Sequence, residues 1–174
     1  MPDEAQIQLL TAQDGSLYRD LRLRALQTDP QVFLATFEEE SQKPLLAFQH
    51  DLEFAISSPI WGYYGIFHQQ QLVGFCQISH TAFSKHAHLA HLYNLYIAPE
   101  FRRQGYGHHL ITYVIEKLIS HQVELLVITH LGNNTRAHQF YESLGFQDCG
   151  RLPNSIKWQG QYDDEVQMYL KLEK

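Results

Sequence analysis

Hydrophobic residues recur along this chain with two different periods, which predict a mixture of strands and helices. Runs rich in β-branched and aromatic residues predict strands at 7–10, 61–67, 72–79, 89–97, 124–129, 147–152 and 165–172. Apolar positions three and four residues apart predict helices between Asp14 and Asp29, at 44–56, at 106–120 and from Asn134 to Leu144. The polar segment 151–161, between the last two strands, is predicted to be a loop.

The stretch from 89 to 120 carries the most specific pattern of the chain. Its strand is apolar on both faces, which is typical of a central strand, and it ends at Pro99. A short basic turn then leads directly into the helix, and this turn contains Arg102, Arg103, Gly105 and Gly107. A glycine turn between a strand and a helix N-terminus is a common way to bind a phosphate through backbone N–H groups.

Spacing alone leaves the identity of such an anion site open. The segment is not a P-loop, because no Gly-Lys-Ser/Thr follows the glycines. It does not match the dinucleotide fingerprint either, because Leu110 occupies the third glycine position. A plain strand-to-helix turn with two solvated arginines is the alternative.

Composition narrows the class of protein. The chain has 174 residues, which suggests a single domain, and its 44% hydrophobic and 18% charged residues are typical of a globular protein. We expect a cytoplasmic protein without a membrane anchor, because no apolar run is long enough to span a bilayer and no secretory signal pattern is present. The net charge of −6 disfavours a nucleic-acid partner and mildly favours a cationic substrate.

The chain also contains histidines, cysteines and a short acidic run that are candidates for metal binding or for binding a cation. The group His86, His88 and His91 lacks the Asp, Glu or Cys that would complete a tetrahedral metal site, and no metal is predicted. Cys76 lies in an apolar run and is expected to be a buried free thiol. The acidic run 38–40 predicts a solvated helix face, although three carboxylates near an amine site would also attract a cation.

Two motifs together resemble one known family. The segment Arg102-x-x-Gly105-x-Gly107 after a strand resembles the acyl-CoA signature of the GCN5-related N-acetyltransferases, the GNAT family. The segment Asn134-x-x-Ala137-x-x-Phe140-Tyr141-x-x-Leu144-Gly145-Phe146 resembles the second recurrent motif of that family, in the expected order. The close resemblance covers 89–146.

The resemblance implies a fold and an activity. The expected fold is α+β, an α/β/α sandwich with a mixed, mostly antiparallel sheet of about seven strands around a splayed parallel pair, flanked by about four helices. The expected activity is transfer of an acetyl group from acetyl-CoA to a primary amine of a small molecule or of a peptide N-terminus. Homodimers are common in the family, and one is possible here.

The resemblance also assigns a binding site for acetyl-CoA. Clustered N–H donors for the pyrophosphate are expected from Arg103, Gln104, Gly105, Tyr106, Gly107 and His108, with added charge from Arg102 and Arg103. The pantetheine amides are expected to pair with the strand edge formed by Leu95, Tyr96 and Ile97. Asn134, Ala137 and Tyr141 lie on one face of the second motif's helix and are expected to face the cofactor.

Acetyl transfer needs a base for the amine and an acid for the leaving thiolate. Tyr141 is the expected acid, because a phenol of pKa about 10 can protonate a thiolate of pKa about 8.5. The family often places a glutamate on the central strand as base, and none occurs here. His91 is the candidate base, and a water held by Tyr93 or Asn94 is the alternative.

A second class of function uses the same fold without catalysis. The chain could hold an acyl-CoA as a non-catalytic binding or sensor module, which the missing strand carboxylate favours. Tyr141 favours the enzyme. The segment 153–168 resembles the last hairpin of a bacterial subgroup, in which Tyr162 and the acidic residues that follow it would border the acceptor pocket. A polar hairpin with a charged edge strand is the alternative.

Overall fold

The computed structural model describes residues 5–56, 60–81 and 83–173. These residues form one seven-stranded sheet and five α-helices. The strands are β1 Ala5–Leu9, β2 Gly62–His68, β3 Gln71–Ser79, β4 Leu89–Ile97, β5 Leu125–Leu131, β6 Gln147–Trp158 and β7 Gln161–Lys171. The helices are α1 Gly15–Thr28, α2 Phe37–Ser41, α3 Leu45–Ala55, α4 Tyr106–Ser120 and α5 Thr135–Ser143.

The sheet order β1-β2-β3-β4-β5-β7-β6 makes β4 the middle strand, as its two apolar faces predict. Neighbouring strands are antiparallel except for β4 and β5, which run parallel. The pairing of β4 with β5 ends at Leu92 opposite Ile128, although both strands continue. The sheet therefore opens into a cleft at its centre, on the side where both strands end.

Helices cover both faces of the sheet. On one face, α4 buries Leu110, Ile111, Val114 and Leu118 against the strands, and Tyr141 of α5 joins the same core. On the other face, residues of α1 and α3 form a second core together with Phe75 and Tyr96. This arrangement confirms the expected sandwich with its splayed parallel pair.

The acidic run 38–40 lies in α2, and two of its three carboxylates form interactions within the fold. Thr36 caps the helix, its hydroxyl accepting from the Glu39 N–H while the Glu39 carboxylate accepts from the Thr36 N–H. Glu40 is buried and pairs with Arg22 of α1. Glu39 thus caps its own helix and Glu40 ties α2 to α1, so the solvated face predicted for this acidic run is wrong for Glu40.

The loop predicted over 151–161 was wrong as well. The segment 151–161 is not a loop, because β6 and β7 continue through it as a long hairpin. Most of β6 is exposed on both faces, so it shows no alternation of apolar and polar residues. The register also shifts between Leu152 and Ile156, which breaks the pattern further.

In the described part of the chain, no helix is long and apolar enough to cross a membrane.

Candidate active site

A β-bulge bends β4 at the cleft. Tyr93 pairs with Gln77 of β3 and Tyr96 pairs with Phe75, so three residue steps on β4 oppose two on β3. Asn94 absorbs the extra residue with a φ of 55°. Its side-chain amide donates to the Gln77 side-chain oxygen at 2.9 Å, which fixes the bulge to the neighbouring strand.

Beyond the bulge, one edge of β4 is free of strand partners. The Ala98 N–H donates to the Val73 carbonyl of β3 at 2.9 Å, and backbone groups alternate in direction along a strand. The N–H groups of Leu95 and Ile97 therefore face the cleft. They are the donors available to a ligand that lies along this edge.

The turn after β4, residues 102–108, has the backbone geometry of an anion cradle. Arg103 has a φ of 61° and Gly105 a φ of 87°, both in the left-handed region, and the chain turns sharply into α4. Gly105 is the N-cap and has no side chain to satisfy the first helical N–H groups. The N–H groups of Tyr106, Gly107 and His108 are left for an anion at the positive end of the helix dipole.

The cradle and the free edge open into one cavity of about 680 Å³. Most of the predicted cofactor residues line it, namely Leu95, Tyr96, Ile97, Arg102, Arg103, Gly105, Gly107, His108, Asn134, Ala137 and Tyr141. Residues that the sequence did not single out also line it, including Asp29, Gln31, Asn133, Arg136, Phe140 and Ser143. The cavity therefore brings the two motifs together across the cleft.

Arg102 lies at the cavity, but its positive charge is already paired with a carboxylate. Its Nε donates to the Ile97 carbonyl at 2.7 Å, and its guanidinium pairs with the Asp29 carboxylate at 2.5 and 3.3 Å. These bonds tie the end of α1 to the end of β4. Arg102 thus positions the cleft wall, and we do not assign it the role of an additional anion ligand.

Arg103 and Arg136 supply the unpaired positive charge. Both are exposed at the cavity, and neither forms an ion pair with any of the described residues. The sequence predicted Arg103 but missed Arg136, which lies in the first turn of α5. Its position two residues after the predicted helix cap Asn134 was the signal that could have identified it.

Tyr141 lines the cavity. The ring is buried, packs edge-on against Phe140 and Phe146, and stacks with the His130 ring at 6.4 Å between centroids. The hydroxyl has no hydrogen-bond partner among the described residues. Burial raises the pKa of Tyr141 well above its usual range, so the hydroxyl keeps its proton at neutral pH.

Asn134 and Ala137 form the wall beside Tyr141. The Asn134 side-chain oxygen accepts from the Ala137 N–H at 3.0 Å and so caps α5. The side-chain NH₂ group of Asn134 remains a donor for a ligand. Ala137 adds little bulk, which leaves the cavity open at the base of the helix.

Three predicted residues do not line the cavity. The Gln104 side chain donates to the Glu100 carbonyl at 2.6 Å and is exposed. Tyr106 is buried, and its hydroxyl forms a hydrogen bond with His68 Nδ1 at 2.8 Å, so only its N–H can serve a ligand. His91 precedes the bulge, where β4 is still paired on both sides.

The surroundings of His91 nevertheless suit a neutral imidazole. Its ring stacks on Tyr93 at 5.7 Å, and partial burial, with a smaller contribution from His86, lowers the pKa of His91. Asn94 is one of the alternatives for holding a relay water, but its side chain already forms hydrogen bonds with Gln77 and Arg22. The identity of the base stays a prediction.

Among the described residues, no group of three His, Cys, Asp or Glu could hold a metal ion.

Comparison with known proteins gives the family. Residues 22–146 match the model of the acetyltransferase (GNAT) family, so the chain belongs to that family, as its two motifs predict. A curated relative, the [ribosomal protein bS18]-alanine N-acetyltransferase of Salmonella typhimurium, is 30% identical over 83 residues, which are 48% of this chain and 56% of the relative. The chain thus matches only about half the length of this relative.

Solved structures show the same fold over the whole chain. A GNAT-family acetyltransferase from Streptococcus pneumoniae superimposes with a TM-score of 0.85 at 17% identity, covering 98% of this chain and 100% of the other. The yncA protein of Salmonella typhimurium, determined with its cofactor acetyl-CoA, superimposes with a TM-score of 0.75 at 14% identity, covering 98% of this chain and 95% of the other.

Proposed function

We propose that this protein is an N-acetyltransferase that moves the acetyl group of acetyl-CoA to a primary amine by direct attack in a ternary complex. The observation that carries the proposal is one cavity lined by the anion cradle, the free edge of β4 and Tyr141. Each of these features matches one part of the reacting thioester. The continuous sheet through all described strands supports one catalytic domain.

The shape of coenzyme A fits the order of these features. The pyrophosphate belongs at the N–H groups of 103–108, with Arg103 and Arg136 close to its charges. The pantetheine arm then runs along the cleft, where its amides pair with Leu95 and Ile97 as an added strand would. A structural neighbour holds acetyl-CoA, which agrees with this assignment.

The reaction follows from the geometry at the end of the pantetheine arm. A neutral amine attacks the thioester carbon, forming the C–N bond, while the carbonyl oxygen becomes an oxyanion. Of the two donors that the resemblance suggests, Tyr96 and Ile97, the N–H of Ile97 is the one that faces the cleft, and it stabilises this charge. The C–S bond then breaks, and the thiolate takes the proton of the Tyr141 hydroxyl. The amine loses its proton to His91 or to a water, and solvent restores Tyr141.

The acceptor is a small amine or a peptide N-terminus. The curated relative is named for acetylating the alanine of a ribosomal protein, which supports the second source. Members of the family with this fold differ in their acceptors, and the N-terminal helices and the β6–β7 hairpin form the remaining borders of the cleft.

Thiol release from acetyl-CoA, measured with and without a panel of amines, tests the proposal. We expect amine-dependent release by the wild-type protein. The variant Tyr141→Phe should lose most of its kcat while its Kd for acetyl-CoA changes less than about two-fold. Binding of acetyl-CoA without release for any amine would favour the sensor module instead. Unchanged turnover in Tyr141→Phe would remove the proposed role of this residue.

A further inference from the structure

A second cavity of about 280 Å³ adjoins the first one. The two cavities share Gln31, which follows α1, and Asn133, which precedes α5. The far wall of the second cavity is formed by the end of the β6–β7 hairpin. A molecule seated there can extend between Gln31 and Asn133 into the reaction cavity.

The hairpin presents a defined set of side chains to this second cavity. Ile156 pairs with Asp163, and Trp158 pairs with Gln161, so these four side chains lie on one face of the hairpin. Lys157 pairs with Tyr162, whose side chain also borders the cavity, and the Lys157 ammonium lies 5.1 Å from the centre of the Tyr162 ring. Lys157 itself does not line the cavity.

Asp163 is the one charged side chain among the described residues that line this cavity. Its Oδ1 accepts from the Asp164 N–H at 2.8 Å. Its Oδ2 is shielded from solvent and has no hydrogen-bond partner among the described residues. Because Oδ2 has no accessible surface, a ligand in the cavity meets this partly buried carboxylate through its negative charge, which forms no ion pair with the described residues.

The nature of the ligand follows from the residues that line the cavity together with Asp163. Trp158 lines it and is partly exposed, and the indole face attracts cations. A carboxylate next to an indole is suited to an ammonium or guanidinium group. A cavity of this size has space for several heavy atoms, since one water in the liquid takes about 30 Å³.

The group held by Asp163 differs from the amine that reacts. Leu95, Ile97 and Tyr141 line only the first cavity, so the reacting nitrogen must lie there. An ion pair with a carboxylate would also keep an amine protonated and prevent its attack. Resting on the proposed function, we propose that the preferred acceptors carry a second, cationic group, which Asp163 and Trp158 bind while the distant primary amine is acetylated.

Two kinds of molecule offer this chemistry, and matched pairs of acceptors distinguish them. The small-molecule pair is 1,4-diaminobutane and butylamine. The peptide pair is alanyl-lysine amide and alanyl-norleucine amide, which differ in the side-chain ammonium. The ratio of kcat/KM within each pair is measured by thiol release, at a pH where the second amine is charged.

We expect the wild-type protein to favour the cationic member of at least one pair by about ten-fold or more. The variant Asp163→Asn should reduce this ratio to about one, and Trp158→Leu should reduce it in part. The control variant Asp164→Asn should keep the ratio, because the Asp164 carboxylate faces Arg151 at 2.9 Å. The Kd for acetyl-CoA, measured on each variant, reports an intact fold.

The outcomes separate this inference from the proposed function. Turnover of both members of each pair at similar efficiency would overturn the inference and leave the acetyltransferase in place. Retention of the preference in Asp163→Asn would also overturn it. Absence of thiol release for every amine would overturn the proposed function and the inference together. The pair that shows the preference identifies the source as a small amine or as a peptide.

Discussion

The guanidinium of Arg22 forms a two-point ion pair with the carboxylate of Glu40, with N–O distances of 3.0 and 3.1 Å. Both side chains are buried between α1 and α2, and Arg22 also reaches the Asn94 side-chain oxygen at 3.4 Å. The pair thus connects the N-terminal helices to the bulge of β4. It also removes the Glu40 carboxylate from any role in attracting the acceptor.

Removal of Glu40 should destabilise the fold strongly. In Glu40→Ala the buried guanidinium loses its partner, and breaking a buried pair in this way costs about 3–5 kcal/mol in the free energy of unfolding. Urea denaturation measures the effect. Glu38→Ala, which changes an exposed carboxylate of the same helix, is the control and should cost less than about 0.5 kcal/mol. A loss below 1 kcal/mol for Glu40→Ala would contradict this account of the pair.

The sequence predicted the centre of the fold better than its periphery. The bounds of β4 and α4 match the prediction, because both have long uninterrupted apolar patterns and a proline and a glycine separate them. The strands at 147–152 and 165–172 were predicted, but their continuation through 151–161 was missed because the exposed faces of β6 carry no hydrophobic period. Pairs such as Arg22 with Glu40 join residues far apart in the chain, where no local pattern can indicate contact.

The candidate site shows the same division. Motif residues such as Gly105 and Tyr141 could be located because their spacing is local. The pairing of Arg102 with Asp29 depends on how α1 packs beside the turn, and no local sequence pattern indicates it. The second cavity exists only once the hairpin is folded beside Asn133.

Substitution of Gly105 should weaken cofactor binding beyond its effect on stability. An alanine at a φ of 87° is strained by about 1 kcal/mol, and the strain would distort the N–H cradle. Gly145 has a φ of 91° but does not line the cavity, so Gly145→Ala is a matched control. Both variants should lose similar stability, and only Gly105→Ala should raise the Kd for acetyl-CoA. Equal Kd values would argue against the cradle.

The two unpaired arginines should act through charge. Arg103→Gln and Arg136→Gln should each raise the Kd for acetyl-CoA about three- to ten-fold and make it less sensitive to salt. Calorimetric titrations at low and high salt measure both effects. Lys171→Gln, an exposed change on β7 that does not line the cavity, should leave the Kd unchanged. Wild-type affinity in both arginine variants would exclude them from cofactor binding.

The pH dependence of turnover should reflect the protonation of Tyr141. Burial raises the pKa of this phenol above its ordinary value of about 10, and a group with a raised pKa keeps its proton to higher pH. The kcat should therefore not decline between pH 8 and about 9.5 through loss of the acid. Steady-state rates across this range check the prediction. A decline in that range that is present in the wild type and absent in Tyr141→Phe would show a lower pKa than the buried site implies.

Direct binding of acetyl-CoA is the most decisive measurement for this account. A thermal-shift titration of the wild-type protein with acetyl-CoA is run beside NAD and ATP as controls. A ligand that binds only the folded state stabilises it by about 2.7 kcal/mol at a hundred-fold excess over Kd. We predict a dose-dependent rise in Tm with acetyl-CoA and none with NAD or ATP. No rise at millimolar acetyl-CoA would contradict the assignment of the glycine turn as a coenzyme A site, and the proposed acetyl transfer with it.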